Sequence, residues 1–95
     1  MIFSRIFAPS HQSPKPEKRM QAIESLSPEK AQEKTILHEL AFNDEDANVS
    51  LAALEKLNSF VLWLKMSQIA KQSRVKKAAE KKVNAALLGE GDVTL

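Results

Sequence analysis

The stretch ILHELAFNDEDANVSLAALEKL, residues 36–57, contains two apolar helical patterns separated by an acidic turn. Its first half keeps apolar residues on one helix face and is expected to end near Asn43. In the turn, Asp44 or Asp46 is expected to accept hydrogen bonds from the free backbone N–H groups that begin the next helix, where negative charge also suits the helix dipole. The stretch therefore predicts a helix, an acidic turn and a second helix.

Similar helical patterns cover most of the remaining chain, and no segment of useful length alternates as a half-buried strand does. The first helix is predicted from Pro16 and stops at Ser27-Pro28-Glu29, where Ser27 is expected to cap the second helix. Asn58-Ser59 marks a brief break between the third and fourth helices. Ser73 is expected to begin a fifth helix that ends at Gly89. The chain is therefore predicted to be all-α, with five main helices.

The fourth helix carries the most apolar sequence of the chain, FVLWLKMSQIA. The apolar stripe of the third helix is expected to continue across the break through Val61 and Leu64. Apolar residues almost encircle the fourth helix, which is typical of a buried central helix. Core packing is the simplest interpretation of its aromatic residues, but Trp63 lies off the stripe. Trp63 is therefore also a candidate for lining a groove or contacting a partner.

Three segments of the chain superimpose without gaps: KRMQAIESL (18–26), VSLAALEKL (49–57) and VKKAAEKKV (75–83). They begin at residues 18, 49 and 75, so the intervals are 31 and 26 residues. Each has an alanine at one position and a larger apolar residue four positions later, namely Ala22 with Leu26, Ala53 with Leu57, and Ala79 with Val83. The small residue allows a neighbouring helix to approach, and the larger one fills the core. A repeat of this length suggests a helical solenoid.

Residues 36–57 resemble the HEAT-repeat pattern, in which an apolar helix and an Asp-containing turn precede Val, Ala and Leu on the next helix. In that family an Arg usually follows the Val. Arg19 and Lys76 occupy that position in the first and third segments, whereas Ser50 in the middle segment departs from the pattern. The resemblance implies an all-α, short right-handed α-α superhelix of the HEAT/armadillo-like type, with about five helices. An antiparallel helical bundle is the alternative.

The sequence from MIFSRIF through LNSFVLWLKMSQIAK also resembles the start of large, uncharacterised helix-rich bacterial proteins. This resemblance implies that the chain is the first domain of something longer. Residues 1–13 are predicted to form an N-terminal cap and connector, with the apolar residues of MIFSRIF on one face of a short helix. Residues 14–88 are predicted as the HEAT-like repeat domain, and residues 89–95 as a flexible tail or linker.

The composition argues against several classes of function. The chain has no cysteine, which excludes thiol catalysis, thiolate zinc sites and disulfides. No apolar run approaches the ~18 residues of a membrane span, and the apolar start is too short and interrupted for a signal peptide. A cytoplasmic protein without membrane contact is expected. With 43% apolar and 27% charged residues, the chain has the composition of an ordinary globular domain.

No motif for catalysis, cofactor binding or metal binding is found in the sequence. His38-Glu39 invites comparison with HExxH, but Phe42 stands where the second His is required. The glycine-rich phosphate-binding motifs are missing. The carboxylates of residues 44–46 lack the calcium-loop pattern and are better explained as helix-capping groups. The chain is therefore not expected to be an enzyme, and no cofactor is expected.

The strongest candidate surface is the basic sequence KQSRVKKAAEKK, residues 71–82. Arg74, Lys77 and Lys81 share one helix face at i, i+3 and i+7, and Lys71 precedes them. A solvated face offsetting the helix dipole is one interpretation. An acidic protein partner and a nucleic-acid backbone are others, as is contact between the acidic turn of one copy and this basic end of another.

The leading hypothesis is a non-catalytic helical-repeat interaction module that binds a protein partner or a neighbouring domain. Its candidate partner-binding residues are Lys71, Arg74, Lys77, Lys81 and Trp63. The competing hypothesis is a nucleic-acid-binding module that uses the basic fifth helix.

Overall fold

The computed structural model describes residues 10–88 and confirms an all-α chain, with five α-helices and no β-strand in that range. After a short 3-10 turn, Ser10–Gln12, the helices are α1 (Pro16–Ser25), α2 (Ala31–Asn43), α3 (Ala47–Leu57), α4 (Phe60–Ile69) and α5 (Ser73–Leu87). Most of the predicted N-terminal cap and the whole tail from residue 89 lie outside the described residues. Within residues 10–88, no helix combines the length and apolar character needed to cross a membrane.

The acidic turn between α2 and α3 forms as the sequence predicts. α2 ends at Asn43, and Asp46 is the N-cap of α3. The Asp46 carboxylate accepts hydrogen bonds from the backbone N–H groups of Asn48, at 2.8 Å, and Val49, at 3.3 Å. Two N–H groups that have no partner within the helix are thereby satisfied.

Asp46→Ala is expected to lower the free energy of unfolding by about 1 kcal/mol, because both cap hydrogen bonds are lost. Asp46→Asn, which retains an acceptor oxygen, should cost less. Glu45→Ala is the matched control, since Glu45 is exposed in the same turn and caps no helix. Urea denaturation of the three variants measures the difference. Equal destabilisation by Asp46→Ala and Glu45→Ala would show that the cap contributes nothing.

The turn before α2 differs from the prediction. α1 ends at Ser25 and α2 begins only at Ala31, so Ser27 is not its N-cap. The Ser27 hydroxyl instead accepts a hydrogen bond from the Glu29 N–H within the turn, at 3.2 Å. Glu33, in the first turn of α2, reaches back to accept the Ser27 N–H at 2.7 Å. The hydroxyl is unavailable to α2 because the turn itself uses it.

Asn58 separates α3 from α4 and changes which residues of α4 are buried. Its backbone is left-handed, with φ 44° and ψ 51°, a conformation that Asn tolerates better than most residues. The helical phase therefore restarts at Phe60, and the stripe predicted through Val61 and Leu64 does not continue. Val61 is 66% exposed and Leu64 is 37% exposed. Ser59 occupies the N-cap position of α4 without a side-chain cap hydrogen bond.

The helices pack so that α3, not α4, is central. α2 packs against α3 and α4 packs against α5, while α3 also contacts α1 on one side and α5 on the other. We call α1, α3 and α5 the three-helix layer; these are the helices that carry the three superimposable segments. The prediction that α4 is the central helix is wrong. The buried apolar core comprises Ile23, Leu37, Leu40, Ala41, Val49, Ala53, Leu54, Trp63, Met66, Val75, Ala79 and Val83.

Candidate functional site

The helices of the three-helix layer lie side by side in the register of the sequence alignment. Asn48 and Arg74 occupy equivalent positions in the second and third segments, one residue before each segment begins. Arg74 Nη2 donates to Asn48 Oδ1 at 2.6 Å. On the other side of α3, Lys56 Nζ donates to the Glu24 backbone oxygen at 2.9 Å. The alignment makes Lys56 equivalent to Ser25, the residue that follows Glu24. Equivalent residues therefore lie at similar heights along the three helices.

One surface of the layer faces away from α2 and α4. Lys77 and Lys81 each lie two residues from the fully buried Ala79, about 200° around the helix. Leu51 and Glu55 bear the same relation to the fully buried Ala53. We call this surface the outer face. Its main residues are Glu17, Met20 and Glu24 of α1, Asn48, Leu51 and Glu55 of α3, and Arg74, Lys77 and Lys81 of α5.

Charge changes sign across the outer face. The alignment places Glu17, Asn48 and Arg74 at equivalent positions, and it does the same for Glu24, Glu55 and Lys81. The acidic half of the face consists of Glu17, Glu24 and Glu55, and the basic half of Arg74, Lys77 and Lys81. All six side chains belong to exposed residues. At equal heights, the face is therefore acidic at α1 and basic at α5.

A shallow groove runs along the acidic half, between α1 and α3. Its volume is about 560 Å³, and its lining is largely apolar, from Pro16, Met20, Leu51 and Ala52. Glu17 and Glu55 are among the charged residues at its edge. An apolar floor with a carboxylate edge favours a ligand that brings an apolar side chain flanked by positive charge.

The predicted basic residues are all exposed, but they do not form a single cluster. Arg74, Lys77 and Lys81 share the outer face. Lys71 instead lies in the turn between α4 and α5, where it lines a separate cleft of about 510 Å³ together with Phe42, Ile69 and other residues. Lys71 is therefore placed apart from the other three.

Trp63 is not on the surface, contrary to its selection as a partner-binding residue. Its side chain is only 1% exposed, because the restart of the helix at Phe60 turns it inward. Lys82 Nζ lies 5.6 Å from the centre of the Trp63 ring and 3.2 Å from Glu55 Oε1. Lys82 therefore covers the indole and joins α5 to α3. Trp63 contributes to the core on which the outer face is built.

Asp44 forms the most enclosed ion pair found in the described residues. Arg19 Nε and Nη2 donate to its two carboxylate oxygens at 2.8 and 3.0 Å, and Arg19 Nη1 donates to the Ser13 carbonyl at 2.8 Å. The hydrogen bond to Asp44 raises the pKa of Arg19 above its usual value. Asp44 Oδ1 also accepts the Asp46 N–H at 2.9 Å. The pair fixes α1 to the turn that begins α3.

The residues equivalent to Arg19 behave differently in the other segments. Ser50 is buried, and its hydroxyl donates to the Ala41 carbonyl at 2.5 Å, which joins α3 to α2. Lys76 is exposed. The turn before α5 is instead joined to the turn before α3 by Gln72, whose amide donates to the carbonyls of Asp44 and Glu45 at 3.2 and 2.6 Å.

The acidic half of the outer face was missed by the sequence analysis. Among the acidic residues, the sequence drew attention only to residues 44–46, and Asp44 and Asp46 are engaged in structural hydrogen bonds. The useful signal was the charge at equivalent positions of the three aligned segments. In the described residues, no three His, Cys, Asp or Glu side chains are arranged to hold a metal ion.

Comparison with known proteins adds no relative. The chain matches no protein-family model, no curated protein and no solved structure.

Proposed function

We propose that this chain is a non-catalytic HEAT-like interaction module that binds a protein partner or a neighbouring domain through the outer face. The observation that carries this proposal is the combination, on one exposed surface, of an apolar groove and two halves of opposite charge. Apolar contact supplies affinity at protein interfaces, and flanking charges select the partner and its orientation.

The HEAT-like architecture is proposed from the contacts of the layer. Paired helices stack so that one helix from each unit contacts the next, with α3 between α1 and α5. Arg19 occupies the position at which the family carries its Arg, and it binds the Asp of the following unit's turn. We propose a short right-handed superhelix on this basis. An antiparallel bundle closed about one axis is the alternative.

Affinity capture tests the proposed function. The chain and its Glu17→Lys/Glu24→Lys variant are used as baits in an extract of the cells that make the protein. We expect the wild type to retain a defined set of proteins. The variant should retain at least ~10-fold less of these proteins. Glu29→Lys/Glu39→Lys is the matched control, because it makes the same change of charge at exposed residues off the outer face. Equal capture by all three baits contradicts the proposal.

Nucleic-acid binding by the basic half is the second candidate. Three cations on one helix face suit a phosphate backbone, and three phosphate contacts give a salt slope of about −2.7 in log K. Binding would then weaken ~40-fold between 50 and 200 mM salt. The carboxylates of the acidic half would repel the phosphate backbone, which argues against this function. Titration of labelled duplex and single-stranded DNA measures it, and an absence of saturable, salt-sensitive binding rules it out.

A further inference from the structure

We infer that the outer face binds a second copy of this chain, forming a weak two-fold dimer in which the acidic residues of α1 in each copy lie over the basic residues of α5 in the other. This inference rests on the proposed function and names the partner of the same surface. It follows from the charges at equivalent positions in the three aligned segments.

The outer face is complementary to itself because its charges reverse across α3. A two-fold axis parallel to the helices and centred over α3 places α5 of each copy over α1 of the other. Such an axis preserves height along the helices. Glu17 of one copy therefore lies over Arg74 of its partner, and Glu24 lies over Lys81, because the alignment makes these residues equivalent. Each pair occurs twice by symmetry, as an isologous interface requires.

The alternative arrangements of two copies are less favourable. An axis perpendicular to the helices would place α1 over α1 and α5 over α5, so that like charges meet. Edge-to-edge stacking into an open filament would leave the outer face of every copy uncovered. The parallel axis pairs the acidic residues of α1 with the basic residues of α5, which neither alternative does. Glu55, on α3 near the axis, is already paired with Lys82 of its own chain at 3.2 Å.

The size of the outer face sets the strength of the dimer. Three helices about 10 Å apart, each contributing roughly 15 Å of length, present on the order of 450 Å² per copy. The buried total of roughly 900 Å² is below that of stable complexes and falls in the range of transient ones. Exposed charge pairs add little affinity to this small interface. Dimerisation is therefore expected only at concentrations on the order of hundreds of micromolar in low salt. Screening at 500 mM salt should abolish it.

Charge-reversal variants test both the dimer and the proposed pairing of residues within it. Sedimentation velocity of the full chain in 20 mM salt should show a reversible shift toward dimer as concentration rises to ~1 mM. Arg74→Glu/Lys81→Glu places acid against acid, and Glu17→Lys/Glu24→Lys places base against base, so each variant alone should remain a monomer. An equimolar mixture of the two variants should form a heterodimer, because all four pairs are then of opposite charge.

Controls separate pairing from changes of net charge and from misfolding. Lys34→Glu/Lys76→Glu makes the same change of charge as the basic-half variant at exposed residues off the outer face, and it should dimerise as the wild type does. Circular dichroism verifies that every variant is helical. A wild type that is monomeric throughout, a dimer unaffected by either reversal, or a mixture that fails to associate overturns the inference.

Failure of the dimer is distinguishable from failure of the proposed function. A monomeric wild type whose Glu17→Lys/Glu24→Lys variant still loses proteins from the cell extract overturns self-association and leaves the interaction module in place. A chain for which neither sedimentation nor capture responds to these substitutions overturns both.

Discussion

Replacing Trp63 with alanine should lower the free energy of unfolding by about 3–5 kcal/mol. Trp63 is the largest of the fully buried side chains and is 1% exposed. Truncating a buried aromatic residue costs about 3–5 kcal/mol, whereas a domain of this size has a total stability of about 5–14 kcal/mol. We expect the urea midpoint to fall by roughly a fifth at the least, and the cooperative transition to be lost where the total stability lies at the low end of its range, when circular dichroism is followed.

Two further variants on α4 make the result specific. Trp63→Phe keeps most of the apolar volume, and the indole N–H that it removes has no hydrogen-bond partner in the described residues. It should therefore be much less damaging than Trp63→Ala. Val61→Ala removes an apolar side chain that is 66% exposed, so its effect should lie within about 0.5 kcal/mol. If Val61→Ala proved as damaging as Trp63→Ala, the inward orientation of Trp63 would be wrong.

Breaking the Arg19–Asp44 pair has the second largest expected effect. The side chains of the pair are only 16% and 3% exposed, and the Arg fork binds both carboxylate oxygens. Arg19→Met leaves the part-buried Asp44 carboxylate without its partner, and losing hydrogen bonds to a charged group costs about 1.5–3 kcal/mol. The free energy of unfolding should fall by about that amount in urea denaturation.

A double-mutant cycle with Arg19→Met and Asp44→Asn isolates the interaction. The double variant should be less destabilised than the sum of the two single ones, with a coupling of about 1–3 kcal/mol. Lys30→Met is the comparison, because the Lys30–Glu33 pair is longer, at 3.8 Å, and Lys30 is 73% exposed. Removing it should change the stability by less than about 1 kcal/mol. Additivity in the Arg19–Asp44 cycle would contradict a structural role for this pair.

The sequence predicts local structure well in this chain because local structure depends on nearby residues. The five helices, the end of α2 at Asn43 and the Asp46 cap all follow from periodicity and from side-chain capping within a few positions. The orientation of α4 does not, because a single left-handed residue, Asn58, changes the direction of the chain. A stripe counted through that residue therefore placed Val61 in the core and left Trp63 off the stripe, so that Trp63 also became a candidate for contacting a partner.

The outer face was only half predictable for a related reason. Arg74, Lys77 and Lys81 are close in sequence and share a helix face, so periodicity alone groups them. Glu17 and Glu55 come from different helices, and they share a surface only because α1 packs beside α3. Adjacency of helices depends on tertiary packing, which the spacing of residues within one helix does not specify.

The most direct test of the proposed function is site-specific photocrosslinking in the cells that make the protein. A photoreactive residue replaces Lys77 at the centre of the α5 part of the outer face, and in a second variant it replaces Thr35 on the exposed side of α2. We predict a discrete crosslinked species, either to a second copy or to another protein, from position 77 and a much weaker one from position 35. Crosslinking from position 35 alone, or equally from both positions, would contradict the assignment of the outer face as the binding surface.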